Sequence, residues 1–423
     1  LKTREDLESW LAERARALEA MPEDSAAEVQ AKVAAFQQVG ASAEYRRQHQ
    51  IADLWTAAFF WQIKEPSGKA LEITAPTQGQ LRRLRGGSAN QQGLLEEVER
   101  IREGLGFFHW PLEFADVTAQ GGFDCILGNP PWERIKLQEE EFFASRDPKI
   151  ATAANKAARQ KLIDLLVKTN PGLGHAFEDA KHAAEGGSKF MRSSRRFLLT
   201  AVGDVNTYAL FAEHARDLTG ANGFSGIIVP TGIATDDTTK DFFGDLVEKR
   251  SIASLFDFEN KEAIFPGVHR SYKFSLLTLS GAPVKQAQFI FFATQVEHLR
   301  DDRRRFGLDP AEIALFNPNT RTMPVFRTKR DAELTKKIYS SVPVFINDRT
   351  GENPWGVKFS TMFHMSNDSG LFVSEPHDEY VCLYEAKMFH QFDHRWATYD
   401  ESSDVRDSFL DEKVLPTYQV KPR

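Results

Sequence analysis

Between residues 107 and 281 short apolar runs alternate with stretches of helical periodicity, and that alternation restricts the chain to a layered α/β architecture. Phe123-Asp124-Cys125-Ile126-Leu127 is an apolar run stopped at Gly128, the pattern of a buried parallel strand. Further strand-like runs fall at Phe224–Val229, Ile252–Phe256 and Phe274–Leu279, and helical spacing predicts helices near 151–168, 208–218 and 239–249. The expectation is a parallel sheet covered by helices on both faces. Gly172–Arg196, with its glycines, serines and the basic Lys189, Arg192, Arg195 and Arg196, reads as a loop able to lie beside phosphates.

The flanks differ in character. The first hundred residues read as helical. Ser25-x-x-Glu28 has capping-box spacing ahead of Val29, Val33 and Phe36, and Ile51, Leu54, Trp55, Ala58 and Phe59 follow the helical i, i+3, i+4 rule. Pro66–Asn90, with Arg82-Arg83-Leu84-Arg85, reads as a loop before a helix through Leu94, Leu95, Val98 and Ile101. After about residue 285 the alternation gives way to short strands and loops rich in Pro, Asn and Gly. Three parts are therefore expected, 1–106, 107–281 and 282–423, in line with 423 residues, too many for one ordinary domain. No membrane span and no signal segment is visible, so a soluble cytoplasmic protein is expected. Cys125 and Cys382 are too few for a disulfide framework or a cysteine zinc site. A net charge of -7 gives no global basic footprint, and any DNA contact must come from local surfaces. The chain opens on Leu1 and stops at Arg423 without a terminal element, from which a fragment of something longer is expected.

The chemistry-bearing residues are Asn129, Pro130, Pro131 and Trp132, directly after the first strand. An amino group conjugated to a ring is a poor nucleophile because its lone pair is delocalised. Acceptors that hold it let the nitrogen pyramidalise toward a methyl donor. Asn129 offers a side-chain carbonyl and Pro130 a backbone carbonyl, while consecutive prolines stiffen the loop. Trp132 offers a flat face for a base swung out of its stack, a contact worth on the order of 1–3 kcal/mol. The end of a parallel strand is also where open α/β sheets place ligands.

The decapeptide Phe123–Trp132 resembles the fourth motif of amino-group methyltransferases that use S-adenosylmethionine. Phe108-His109-Trp110-Pro111-Leu112-Glu113-Phe114, Gly121-Gly122, Asn317-Pro318-Asn319-Thr320 and the run Tyr384–Arg395 look like large restriction-modification methylases, the type IIG and BREX or DISARM-like phage-defence enzymes. The resemblance covers roughly residues 107–400. It implies a Rossmann-like methyltransferase sheet, partial here, with an N-terminal helical segment and a C-terminal mixed α+β target-recognition domain beginning near Ala282. It further implies methylation of the N-6 amino group of a flipped adenine in double-stranded DNA, with S-adenosylmethionine as donor and other defence-system subunits as possible partners. Glu113 and Asp116 become candidates for the cofactor's adenine, Phe265 for packing on the extruded base, and Lys189, Arg192, Arg195, Arg196 and Lys387 for DNA. In one respect the chain departs from that family: the Gly-rich turn that receives the cofactor's methionine end is missing, so the cofactor-binding strand is expected upstream, with residues 1–106 as a helical insertion.

Other readings have less support. Glu385-Ala386-Lys387 with Asp393 has the residue types of a metal-dependent nuclease but lacks its structural context. His269, His364, His390 and His394 form no defensible catalytic arrangement, and no metal site is expected. An RNA base or a protein glutamine is the alternative substrate. A non-catalytic DNA-binding fragment is the alternative to an enzyme.

Overall fold

The computed structural model describes residues 4–63, 75–87, 92–364, 366–373, 379–383, 398–399, 405–406 and 419–420. The chain forms two compact units, Leu1–Glu352 and Asn353–Arg423.

Unit one begins with helices α1 (Arg4–Glu19), α2 (Ala26–Ala41), α3 (Ala43–Ala57), α4 (Gln78–Arg85) and α5 (Gln92–Leu105). Ser25 caps α2 by accepting from the Glu28 N–H. The apolar stripe that predicts this helix nevertheless faces solvent at Val29, Val33 and Phe36. Leu54, Ala57, Trp61, Leu81, Leu84, Leu94, Val98 and Ile101 form the core of this helical lobe. A loop is expected over Pro66–Asn90, but Gln78–Arg85 is helical. Thr77 and Gln80 close a capping box, and Leu81 and Leu84 are buried.

Two short helices, α6 (Trp110–Glu113) and α7 (Ala115–Ala119), lead into β1 (Phe123–Gly128). Then come α8 (Glu139–Ala144), α9 (Pro148–Ala151), α10 (Lys156–Thr169) and α11 (Pro171–Ser193). The last of these corrects the loop expected over Gly172–Arg196. Asn170 caps the helix, Pro171 starts it, and one glycine, Gly186, serves packing. A Cβ on Gly186 would stand 2.6 Å from the Phe60 ring and 3.2 Å from the Phe59 carbonyl, so only glycine permits this approach of α11 to the end of α3.

The rest of the unit completes a mixed sheet. Its parts are α12 (Thr207–Leu218), β2 (Thr219–Val229), α13 (Gly232–Thr235), α14 (Lys240–Glu248), β3 (Ile252–Glu259), β4 (Lys273–Ser280), β5 (Ala287–Ala293), β6 (Phe306–Leu308), α15 (Pro310–Phe316) and α16 (Lys329–Ser341). Strand order is β1-β2-β4-β3-β5-β6. The strands β1, β2, β3 and β5 run parallel to one another, and β4 and β6 run against them. The parallel sheet expected from the sequence is thus a mixed one, within the α/β class expected. No crossover helix joins β3 to β4, and a direct return places β4 antiparallel. Side chains alternate as a pleat requires. Ile227, Val229, Leu255, Leu277, Phe289 and Phe291 face a core built with α12, α14 and α15. Ile228, Phe256, Leu276 and Ile290 face the other way, around Phe258 and Phe274. The sheet continues through β5 and β6, so a boundary at 282 would cut through it, and the division between compact units falls at Glu352–Asn353 instead.

In unit two the described residues include β7 (Phe372–Val373), β8 (Val381–Cys382), β9 (Thr398–Tyr399), β10 (Val405–Arg406) and β11 (Gln419–Val420). β11 pairs antiparallel with both β7 and β8, and β10 with β9. No helix among the described residues is long and apolar enough to cross a membrane.

Candidate active site

The C-terminal ends of the parallel strands lie on one edge of the sheet, and Asn129-Pro130-Pro131-Trp132 leaves β1 there. The loop is held from both sides. The Trp132 indole N–H donates to the Ile228 carbonyl at 3.3 Å, and its half-buried ring packs against both faces' core clusters. On the other side Thr207 acts as a clamp: its hydroxyl donates to the Pro131 carbonyl at 2.6 Å and accepts from the Glu133 N–H at 2.9 Å. The Thr207 N–H donates to the Glu133 carbonyl at 2.8 Å, and Arg134 bridges to Asn206. Asn129 is exposed, and its carboxamide has no hydrogen-bond partner among the described residues. A rigid loop therefore presents an uncommitted amide carbonyl, the arrangement needed to accept from an amino group.

Neighbouring strands organise the rest of the edge. Asp257, buried on β3, accepts from the Thr231 hydroxyl, from Ser275 Oγ at 3.3 Å and from the Phe292 N–H at 3.2 Å. It thus joins the turn after β2 to β4 and β5, and burial pushes its carboxyl above the usual carboxylate range. Asn260, fully buried, donates to the carbonyls of Phe265 (3.0 Å) and Val268 (2.8 Å) and accepts from the Phe265 N–H at 3.0 Å. Phe265 is partly exposed and meets Phe274 edge-on at 5.0 Å. Trp132 packs on the same Phe258–Phe274 cluster, so two candidate base-contacting rings converge on one aromatic platform. A cleft of about 330 Å³ opens between Ile135–Leu137 and α11, lined by Lys136, Lys181 and Arg192 and also by Glu139, Glu185 and Asp204.

Glu113 and Asp116 flank the short helices before β1. Glu113 is turned toward Tyr45, whose hydroxyl donates to it at 3.3 Å, and toward His49. Asp116 is half-buried in α7. Of the basic group, Arg192 donates to the carbonyls of Ala201 (3.1 Å) and Gly203 (2.7 Å), and Arg196 lies 5.6 Å over the Trp55 ring. Lys189 and Arg195 are exposed. Lys387 and the run Tyr384–Arg395 lie outside the described residues. Thr207, Asp257 and Asn260 were not singled out in the sequence. Asn206-Thr207 carries a helix-start signal, but a hydroxyl that also clamps a loop 74 residues away leaves no local trace.

Among the described residues no cradle for a methyl-donor cofactor is formed. The Gly121-Gly122 pair precedes β1 rather than following a strand, and a Cβ on Gly122 would meet the Leu218 carbonyl at 2.6 Å, so it serves strand packing. Among the described residues no strand pairs with the outer edge of β1, where Leu127 is 80% exposed.

Fold and loop together give an α/β sheet with an exposed amide on the loop that leaves β1. Residues 56–167, which include that loop, match the Eco57I restriction-modification methylase family. The match supports a methyltransferase function. No curated protein matches the chain. Among solved structures, a type I restriction-modification system methyltransferase subunit from Streptococcus thermophilus is similar at 16% identity, covering 33% of this chain and 35% of that one, with a TM-score of 0.27. The type IIG restriction endonuclease BpuSI is similar at 13% identity, covering 69% and 31%, with a TM-score of 0.24. A type I R-M system chain is similar at 10% identity, covering 79% and 89%, with a TM-score of 0.26. The chain thus spans about a third of the length of the first two.

Proposed function

We propose that this chain is the base-holding part of an adenine-specific N-6 DNA methyltransferase from a restriction-modification or phage-defence system. The observation that carries the reading is Asn129: an exposed carboxamide without a partner among the described residues, on a loop fixed by Trp132 and Thr207 inside the methylase-matching segment. In this reading the Asn129 side chain and the Pro130 carbonyl accept hydrogen bonds from the adenine amino group. Trp132 and Phe265 flank the flipped base, and Lys189 and Arg195 meet the phosphates of double-stranded DNA. Residues following the sheet, Lys387 among them, read the target sequence. S-adenosylmethionine supplies the methyl group in such a reaction. Its cradle is not among the residues described, and we assign it to a strand that pairs with the open edge of β1, from elsewhere in the protein or from a partner subunit of the defence system.

The test is Asn129→Ala in cells that carry the complete system. N-6-methyladenine in genomic DNA, read by single-molecule sequencing, is expected to vanish while the melting temperature of the purified protein stays put. Persistent modification in the variant would refute the assignment. The missing donor cradle favours one second reading, a DNA-binding module without catalysis. Wild-type cells with unmodified DNA, together with equal DNA affinity of wild type and Asn129→Ala, would select it.

A further inference from the structure

In the helical lobe, away from the Asn129 loop, four metal-ligating side chains converge. Tyr45, His49 and Asp53 are spaced by four and share one face of α3. His109, the N-cap of α6, and Glu113, its last residue, are also four apart and meet that face. One donor atom from each of His49, Asp53 and His109 lies within 4.8 Å of the other two. His109 Nε2 is 2.7 Å from Asp53 Oδ1, both side chains are buried, and His49 Nε2 is 3.3 Å from Glu113 Oε1.

We propose that His49, Asp53, His109 and Glu113 bind one zinc ion. Hydrogen bonding alone leaves this cluster incomplete. His49 Nε2 is shielded from solvent and has no hydrogen-bond partner, since the Glu113 oxygen beside it is out of line. An unmet polar atom of this kind is costly. Asp53 and Glu113 together carry two negative charges, and the nearest guanidinium, Arg102, is committed to Glu99. A divalent cation cancels both charges and gives the unmet nitrogen a bond. Two imidazoles and two carboxylates are a zinc donor set, and bonds of about 2.0–2.2 Å place tetrahedral ligand atoms roughly 3.3–3.5 Å apart. The triad atoms lie within 4.8 Å of one another, Glu113 Oε1 stands 3.3 Å from His49 Nε2 outside that group, and the 2.7 Å contact of His109 Nε2 with Asp53 Oδ1 is a hydrogen bond that zinc would replace. The Tyr45 hydroxyl, donating to Glu113, fixes the orientation of that ligand. With four protein ligands the site is closed and its role structural: it fastens α3 to the segment that runs through α7 into β1.

The test uses the full chain, stripped with EDTA and titrated with Zn²⁺ by calorimetry and with Co²⁺ by visible absorption. One ion per chain and a tetrahedral cobalt spectrum are expected. Zinc at about 100 times its Kd should raise Tm by roughly 3–8 °C. His49→Gln, which removes no hydrogen bond, is expected to fold, to bind zinc at least about 10-fold more weakly and to lose the cobalt spectrum. Cys125→Ser should bind as the wild type does, since Cys125 is a distant exposed thiol. A stripped wild type that takes up no stoichiometric zinc, or a His49→Gln variant that binds like the wild type, would overturn the proposal and leave a hydrogen-bonded staple between α3 and α6.

Discussion

Replacing Thr207 with Val removes the clamp on the Asn129–Trp132 loop and changes little else. Valine has nearly the same shape, and Asn206 remains as the cap of α12. Two hydrogen bonds disappear: the 2.6 Å bond to the Pro131 carbonyl and the 2.9 Å bond from the Glu133 N–H. Each is worth about 0.5–1.5 kcal/mol net. Both partners are exposed, so water recovers part of the loss, and a total near 1 kcal/mol is expected. For a unit spanning Leu1–Glu352 that lowers Tm by roughly 1–2 °C. The effect on catalysis should be larger. Pro130 and Asn129 stand directly before the released carbonyl, and a displacement of about 1 Å in an acceptor can cost on the order of 100-fold in rate. That factor corresponds to about 2.7 kcal/mol, more than the stability lost, so partial unfolding cannot account for it. The assay is adenine methylation by the complete system, with Tm measured in parallel. Thr207→Ser keeps the hydroxyl and should restore most of the rate. Activity of Thr207→Val within twofold of wild type, or equal damage in the Ser and Val variants, would refute the clamp.

Other outcomes follow from the same geometry. The Asp257 carboxyl is held above its ordinary range by burial, so the folded state binds more protons than the unfolded state above the usual carboxylate pKa. Stability should therefore fall as pH rises above the ordinary carboxylate range, and Asp257→Asn should flatten that slope in urea titrations; an equal or steeper slope in the variant would contradict this. The open edge of β1 is tested by hydrogen exchange on the purified chain. Alternate amides of Cys125–Gly128, those not bonded to β2, should exchange rapidly, and uniform protection along the strand would mean that the edge is covered.

Much of the local structure around the candidate site was legible because its signals are local. Asn129–Trp132 stands at the end of an apolar run, where a stiff loop after a strand was expected, and the strands and helices from Thr207 to Ser280 follow their side-chain periodicity. Long-range contacts hid the rest. Glycines in α11 look like loop residues until Gly186 is seen against Phe60, which only tertiary packing can reveal. Ala287–Ala293 is apolar enough to be a central strand, yet the Pro- and Asn-rich sequence around it suggested a new domain, and its pairing with β3 cannot be read from composition. The stripe Val29, Val33 and Phe36 predicts α2 correctly but not its exposure.

β1 is where sequence and structure disagree most usefully. Its composition is that of an interior strand, apolar in alternate and adjacent positions, yet it lies at the sheet's edge with Leu127 and Cys125 exposed. Edge strands in native proteins are usually blunted by charge, proline, a bulge or a covering element. β1 offers Asp124, and its pairing with β2 carries a register irregularity between Phe123 and Cys125, but among the described residues no element covers its outer edge. The second absence is chemical, since no Gly-rich turn follows any described parallel strand. In the reading proposed for this chain, one element removes both difficulties. A parallel strand added beside β1 would cover its apolar side chains and satisfy its free amides. Because parallel neighbours end on the same edge, that strand's own turn would emerge beside Asn129, where the methyl donor has to be.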